Sequence, residues 1–361
     1  MLRVIPKYGA LSWILQARGN AFSSVSSCYL AVSSIPYSTT PDRDSHPTSS
    51  MPCQPGELRA DQLLSKLWRQ SNIRTKMNFR YAVKDDIKYL VKMTQEYNWW
   101  YSEFEYNILL DLDPCSLTVA TNKCNIPIGF MGICRILPEI TYNGPFIVRK
   151  DYRGSGIGKI FNKAMVLLQT DSNGCMDLDH NFVDHYSKKG FIYKSYKFNC
   201  FQGIVNDNCR SKSKAQGTCN IAIISNNELP LVLEYDRSVY KGLDRERILR
   251  ACLFDENVVS VISLCDGQTT GYGSLIKCAK TNKYSIASLF ADDDFVVEEI
   301  LEQMLKVVPN GANLTIQLMA DKQLSERFSQ FKFSFQMQRV FNKHLVEADL
   351  KRMYFVNDFM F

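Results

Sequence analysis

The stretch Phe146–Phe161, FIVRKDYRGSGIGKIF, carries the clearest chemistry in the chain. Gly154, Gly156 and Gly158 recur at every second position between Arg153 and Lys159, with Ser155 and Ile157 between them. Glycine lacks a Cβ, so this spacing lets a backbone turn sharply and lie close to a ligand. Phe146, Ile147 and Val148 before it read as the end of a buried strand. Ile160, Phe161, Ala164, Met165 and Leu168 after it fall on one face of a helix. A helix opening there presents unbonded N–H groups and the positive end of its dipole, a setting for phosphate. The residues therefore describe a pyrophosphate cradle between a strand and a helix, flanked by two cations. A glycine-rich turn that holds no ligand is the plainer alternative.

Two familiar phosphate loops do not fit. A Walker A loop needs glycine where Arg153 stands and Ser or Thr where Ile160 stands. The dinucleotide fingerprint needs a third glycine that would fall on Lys159 or Phe161. The pattern present is Arg-x-x-Gly-x-Gly, filled by Arg153, Gly156 and Gly158. In VRKDYRGSGIGK the chain resembles the GNAT superfamily of acetyl-CoA-dependent N-acyltransferases, whose signature is (Gln/Arg)-x-x-Gly-x-(Gly/Ala) after a strand ending in Val. The resemblance implies a mixed, mostly antiparallel α/β sheet flanked by helices. It also implies acetyl-CoA as co-substrate and no metal. The pyrophosphate would lie on the amides of residues 153–159, and the pantetheine arm beside Phe146, Ile147 and Val148.

Further candidates surround the cradle. Tyr186-Ser-Lys-Lys-Gly-Phe191 resembles the family's Tyr-x-x-x-Gly-Phe element, in which the Tyr protonates the departing thiolate; a core Tyr is the alternative. Asp177, Asp179, His180, Asp184 and His185 are dense in ligand-type groups, but nothing in their spacing closes a metal shell, and a capping Asp179 with solvated His residues is the expectation. Trp99, Trp100 and Tyr101 line either an acceptor pocket or a helix–sheet contact. Glu139 is the acid nearest the central strand that could serve as a base.

These groups need a scaffold, and the chain is long enough for two domains with a core each. Segment 1–76 reads as a targeting or disordered extension, because residues 1–41 lack Asp and Glu and are rich in Ser, and 38–56 is rich in Ser, Pro and Thr. A mitochondrial presequence, a true start at Met77 and a secretory signal are the three readings of it. Segment 77–202 is the catalytic domain. It offers a first strand at Phe79–Val83, a helix after Lys84, strands at 117–120 and 127–136, the strand ending at Val148, the helix 159–170, and strands at 175–178 and 192–199. That order is the GNAT order.

Residues 203–218 form a polar linker, and 219–361 repeats the order of the first domain. FSQFKF (328–333) lies where YSKKGF lay, and SLFADDDF (288–295) lies where the cradle lay, with Asp292, Asp293 and Asp294 in place of glycine. Three acids repel a pyrophosphate. The second lobe resembles the degenerate acetyltransferase-like C-terminal domain of two-lobed GNAT proteins from bacteria and nematodes, on YDR (235–237), DRER (244–247), GYG (271–273) and RMYF (352–355). Asp236, Arg237 and Arg245 either wall an acceptor pocket or pair with one another.

A net charge of +6 makes no case for nucleic acid. No run approaches the ~18 apolar residues of a membrane span. Twelve scattered cysteines without a CxxC pair suggest reduced thiols and an intracellular protein, mitochondrial if residues 1–41 are a presequence and otherwise cytoplasmic. The expected activity is transfer of an acetyl group from acetyl-CoA to an amine, small molecule or protein, by direct attack. The alternative is an acyl-CoA sensor or scaffold without turnover.

Overall fold

The computed structural model describes residues 59–357 apart from 72, 74, 75, 98, 100, 170, 211–218, 279 and 280. The first lobe runs α1 (Ala60–Arg69), β1 (Asn78–Tyr81), α2 (Ile87–Gln95), α3 (Glu103–Leu112), β2 (Leu117–Thr121), β3 (Pro127–Leu137), β4 (Ile140–Val148), α4 (Ile157–Leu168), β5 (Asn173–Asp179), α5 (Val183–Ser187) and β6 (Tyr193–Ile204). The second runs β7 (Asn220–Ile223), α6 (Leu229–Val239), α7 (Glu246–Leu253), β8 (Val258–Cys265), β9 (Gln268–Cys278), β10 (Lys283–Ala291), α8 (Asp294–Leu305), β11 (Asn313–Met319), β12 (Lys332–Phe341) and β13 (Met353–Phe355).

The lobes are not separate sheets. All strands join in one sheet of order β1-β2-β3-β4-β5-β12-β6-β11-β13-β10-β9-β8-β7, in which each lobe gives its long late strand to the other. β12 lies antiparallel between β5 and β6, and β6 pairs with β11 of the second lobe from Asn313↔Ile204 to Met319↔Phe198. Side chains alternate along a strand, so each face of this sheet needs its own cover. Phe146 and Val148 pack into a core with α1 and α4, whereas Ile147 between them joins a core on the other face. That second core takes residues from α2, α3, α6 and α7 alike, so it spans both lobes. A third core lies under α8. Each lobe thus has a core of its own, and a further core is common to both.

Two boundaries and the state of two cysteines also differ from expectation. Residues 60–69, assigned by sequence to the extension, form helix α1, which buries Leu63, Leu64 and Leu67 against the α4 side of the sheet. Strand β6 continues to Ile204, into the expected linker, and 211–218 lie outside the described residues. Cys219 and Cys265, expected as thiols, are joined as a disulfide between the entry to β7 and the end of β8. Among the described residues no helix is long and apolar enough to cross a membrane.

Candidate functional site

The site begins where two parallel strands part. β4 pairs with β5 only at Ile140↔Asn173, Thr141↔Gly174 and Tyr142↔Cys175. Beyond Tyr142, β4 continues to Val148 held on its other edge by β3, through Phe146↔Met131, Ile147↔Phe130 and Val148↔Gly129. The β4–β5 ladder ends at Tyr142, so the two strands part there. Side chains of Phe146, Ile147 and Val148 are buried in the two cores, so what they offer a ligand is backbone.

The glycine turn lies at the end of that strand. Gly154 (φ +72°) and Gly156 (φ +92°) adopt the left-handed region, which other residues reach only with strain. Gly156 ends the turn, and α4 opens at Ile157, two residues earlier than the sequence suggested. Ser155 contributes to the turn itself, its hydroxyl donating to the Tyr152 carbonyl at 2.5 Å. Ile157 is fully buried and anchors the helix start. The N–H groups of Lys159 and Ile160 both donate to the Gly156 carbonyl, at 3.0 and 3.2 Å. Those of Gly154, Gly156, Ile157 and Gly158 donate to no group among the described residues. An anion at a helix N-terminus meets such donors.

Arg153 is the side chain of the turn suited to meet an anion. Its Nε and Nη2 are buried yet have no hydrogen-bond partner. Its guanidinium lies 5.7 Å from the ring centre of Tyr97, and burial pushes its pKa down to about 10. Covered guanidinium N–H groups left unpaired are costly, and a phosphate oxygen would relieve that cost. Lys159 is exposed beside it. Arg149, by contrast, is paired with Asp151 at 2.6 Å. If the turn holds a pyrophosphate ligand, an Arg153→Ala variant is expected to weaken its binding about tenfold or more, the worth of a charge-assisted hydrogen bond, by calorimetric titration.

The other candidates divide. Tyr186 is buried, its ring edge-on to Phe191 at 6.2 Å and under the Lys189 ammonium at 5.0 Å. Lys189 in turn donates to Asn162 of α4 at 2.5 Å, which ties the Tyr186 segment to the cradle helix. Glu139 is exposed in the turn before β4, at the opposite end of that strand from the cradle, and is removed as a base. Asp177 is held in a two-point pair by Arg339 of β12, at 2.6 and 2.5 Å, and Asp179 caps the turn at Asn181 N–H (2.9 Å). Asp236 and Arg245 pair with each other at 2.7 Å, both buried, rather than facing a pocket.

In the second lobe the corresponding fork is closed. β10 pairs in parallel with β11 at Lys283↔Asn313, Tyr284↔Leu314 and Ser285↔Thr315, then parts from it as β4 parts from β5. Here β13 enters the gap, paired with β10 at Leu289↔Phe355 and with β11 at Leu318↔Phe355. The helix start is occupied too, because the Asp293 carboxylate accepts from Val296 N–H at 3.0 Å. Asp292 accepts from the Tyr235 hydroxyl at 2.9 Å. The second lobe has thus filled with its own chain the places that the first leaves open.

The segment between α2 and α3 runs along the open fork. Tyr97 meets Arg153 of the cradle, and its ring lies 6.0 Å from that of Trp99. Tyr101 then reaches Tyr142, the last residue of β4 paired with β5, with the two hydroxyls 3.3 Å apart. Trp100 lies outside the described residues. Trp99, Tyr101 and Glu105 line a narrow, open cleft, whose other wall is Thr281, Lys283 and Tyr284 of the second lobe. Glu105 was missed by the sequence reading. The signal was present as Ser102-x-x-Glu105, a capping box, whose helix α3 begins inside the supposed aromatic loop.

A family model described as an acetyltransferase (GNAT) domain matches residues 232–351, the lobe without the glycine cradle. No curated protein matches the sequence. Among solved structures, a putative acetyltransferase from Pyrococcus horikoshii is similar with a TM-score of 0.60 at 20% identity, over 78% of this chain and 94% of that one. A tandem GNAT protein from the clavulanic acid biosynthesis pathway is similar at 0.55 and 10% identity, over 74% and 98%. Saccharomyces cerevisiae N-myristoyltransferase, solved with myristoyl-CoA, is similar at 0.56 and 10% identity, over 80% and 86%. At these identities the likeness is one of fold, a mixed α/β sheet in two GNAT-like lobes.

Proposed function

We propose, from the premise that this chain is a member of the GNAT superfamily, that it transfers an acetyl group from acetyl-CoA to an amine at the fork of its first lobe. The observation that carries the reading is the glycine turn, whose Gly154, Gly156, Ile157 and Gly158 amides and Arg153 Nε and Nη2 have no hydrogen-bond partner among the described residues. Acetyl-CoA supplies an activated acyl thioester when bound. Within the turn 153–159, the amides of Gly154, Gly156, Ile157 and Gly158 hold its pyrophosphate, and β4 offers backbone to the arm and to the thioester carbonyl. A Lys-like amine has a pKa near ~10.4, so only about one in 10³ is unprotonated at neutral pH, and the chain must provide a proton acceptor.

Tyr186 is assigned the return of a proton to the sulfur. Tyr186→Phe is expected to lower kcat by about 10²-fold, the lower range for a positioned acid, with acetyl-CoA affinity unchanged. Turnover itself is tested by release of free thiol from acetyl-CoA with a panel of amines. Binding without release of thiol by any of them would instead mark a sensor or scaffold. The acid-free segment 1–41, outside the described residues, is read as a mitochondrial presequence, which imaging of a fluorescent fusion tests.

A further inference from the structure

We propose that the cleft between the lobes is the acceptor site, that it takes an amine borne on an aromatic or apolar carrier, and that Glu105 is the carboxylate that meets the amine. The proposal rests on the acyltransferase reading and goes beyond it to the class of substrate.

Position comes first. The Tyr101 side chain lines the cleft and also touches Tyr142, where β4 and β5 part. Trp99, on the same wall, is linked through Tyr97 to the cradle residue Arg153. A group seated in the cleft thus sits beside the apex of the donor fork. Its walls then select the carrier. Trp99, Tyr101, Ile276 and Tyr284 give an apolar, mostly aromatic lining, which binds flat or apolar bodies well.

Charge selects the reacting end. Glu105 is only 5% exposed, and its Oε2 accepts from Ser102 N–H at 2.6 Å and from the Ser102 hydroxyl at 2.5 Å. Burial raises its pKa above the ordinary carboxylate value, partly offset by the two Ser102 hydrogen bonds, and Asp255 of the second lobe raises it further. Lys283 is the cation among the lining residues. A carboxylate in a mostly apolar cleft is relieved by an ammonium group.

The step balances as follows. One proton passes from the ammonium to Glu105, which leaves a neutral amine. The C–N bond forms as the C–S bond breaks. The amide nitrogen then sheds its second proton, which offsets the one taken up by sulfur. One proton in all leaves through Glu105 to solvent.

The test is calorimetric titration of tyramine and spermidine into the native chain, Glu105→Gln and Thr281→Trp, with the thermal shift by acetyl-CoA as the donor control. Gln at the third helix position still completes a capping box, so Glu105→Gln removes charge without removing the cap. The native chain is expected to bind tyramine at least tenfold more tightly than spermidine, and both variants to lose about tenfold or more. Native affinity should also fall on acidification from above the ordinary carboxylate range, and that of Glu105→Gln should stay flat. Equal binding by native chain and Glu105→Gln, a preference for spermidine, or no tyramine binding at all overturns the proposal. If the donor shift persists in any of these cases, the acyltransferase reading stands. If the native chain shows no donor shift, that reading is what has failed.

Discussion

A Gly158→Glu variant is expected to lose the rise in melting temperature that acetyl-CoA should give the native chain if the proposed donor site is the cradle. Gly158 is the right position for this test because it costs the fold little. Its φ lies outside the left-handed region, and an added Cβ meets only the Phe146 ring, at 3.8 Å. Gly156 is a poorer choice, since its φ is +92° and an added Cβ would lie 2.7 Å from Ile73. A carboxylate in the first turn of α4 favours the helix by about 0.3–1 kcal/mol, so the ligand-free variant should melt no lower than the native chain. Against a pyrophosphate, the same carboxylate is a like charge. At about 4 Å and an effective dielectric near 20 that repulsion is about 4 kcal/mol, roughly a thousandfold in affinity. Ligand that binds N and not U raises the melting temperature by mass action, so this loss is read directly in the shift. If native and variant chains shift alike, the donor does not lie at the cradle.

The second large effect belongs to the seam between the lobes. Arg339→Leu is expected to destabilise the chain by about 3–5 kcal/mol, the cost of leaving one partner of a buried pair alone. Both side chains of the Asp177–Arg339 pair are essentially inaccessible to solvent, at 1% and 0%. The native pair holds the Arg339 guanidinium firmly charged, because the Asp177 carboxylate lies against it. Without Arg339, burial alone acts on Asp177 and raises its folded pKa above the unfolded value. The folded variant then binds a proton that the unfolded chain releases, so its deficit shrinks as pH falls toward 4 and is largest at pH 8. Urea unfolding of the native chain and the variant at those two pH values checks the sign. Replacing Asp177 by Leu as well should recover much of the loss, as buried pairs exchanged for apolar groups often do. A variant as stable as the native chain at pH 8 would deny the pair any such role.

What could be read from the sequence was local. The cradle was legible because Arg153, the glycines and the apolar face of α4 lie within one turn and one helix, and each agreed with the others. The closed second site was legible at Asp292–Asp294 for the same reason, though not its cover by β13, which depends on a pairing with β10 and β11 from beyond β12. Helix α1 was misread because the segments before it lack any fold signal, although Leu63, Leu64 and Leu67 have helical spacing. Glu105 was hidden by its neighbours: Trp99–Tyr101 drew the eye to a loop, and Ser102 was not taken as a cap. The strand exchange has no local signature, because β6 and β12 have the same length and alternation whichever lobe they join.

That exchange also has a meaning for a chain still being made. Asp177 on β5 finds Arg339 on β12 after a separation of 162 residues. At about 5–20 residues per second, the edge of β5 waits for roughly 10–30 s before the strand that covers it leaves the ribosome. Through that interval the first lobe carries its signature turn and helix but lacks a neighbour in the middle of its sheet. An uncovered strand edge is a template for the wrong partner. A message truncated between β5 and residue 341 therefore yields a client for chaperones rather than a smaller folded protein.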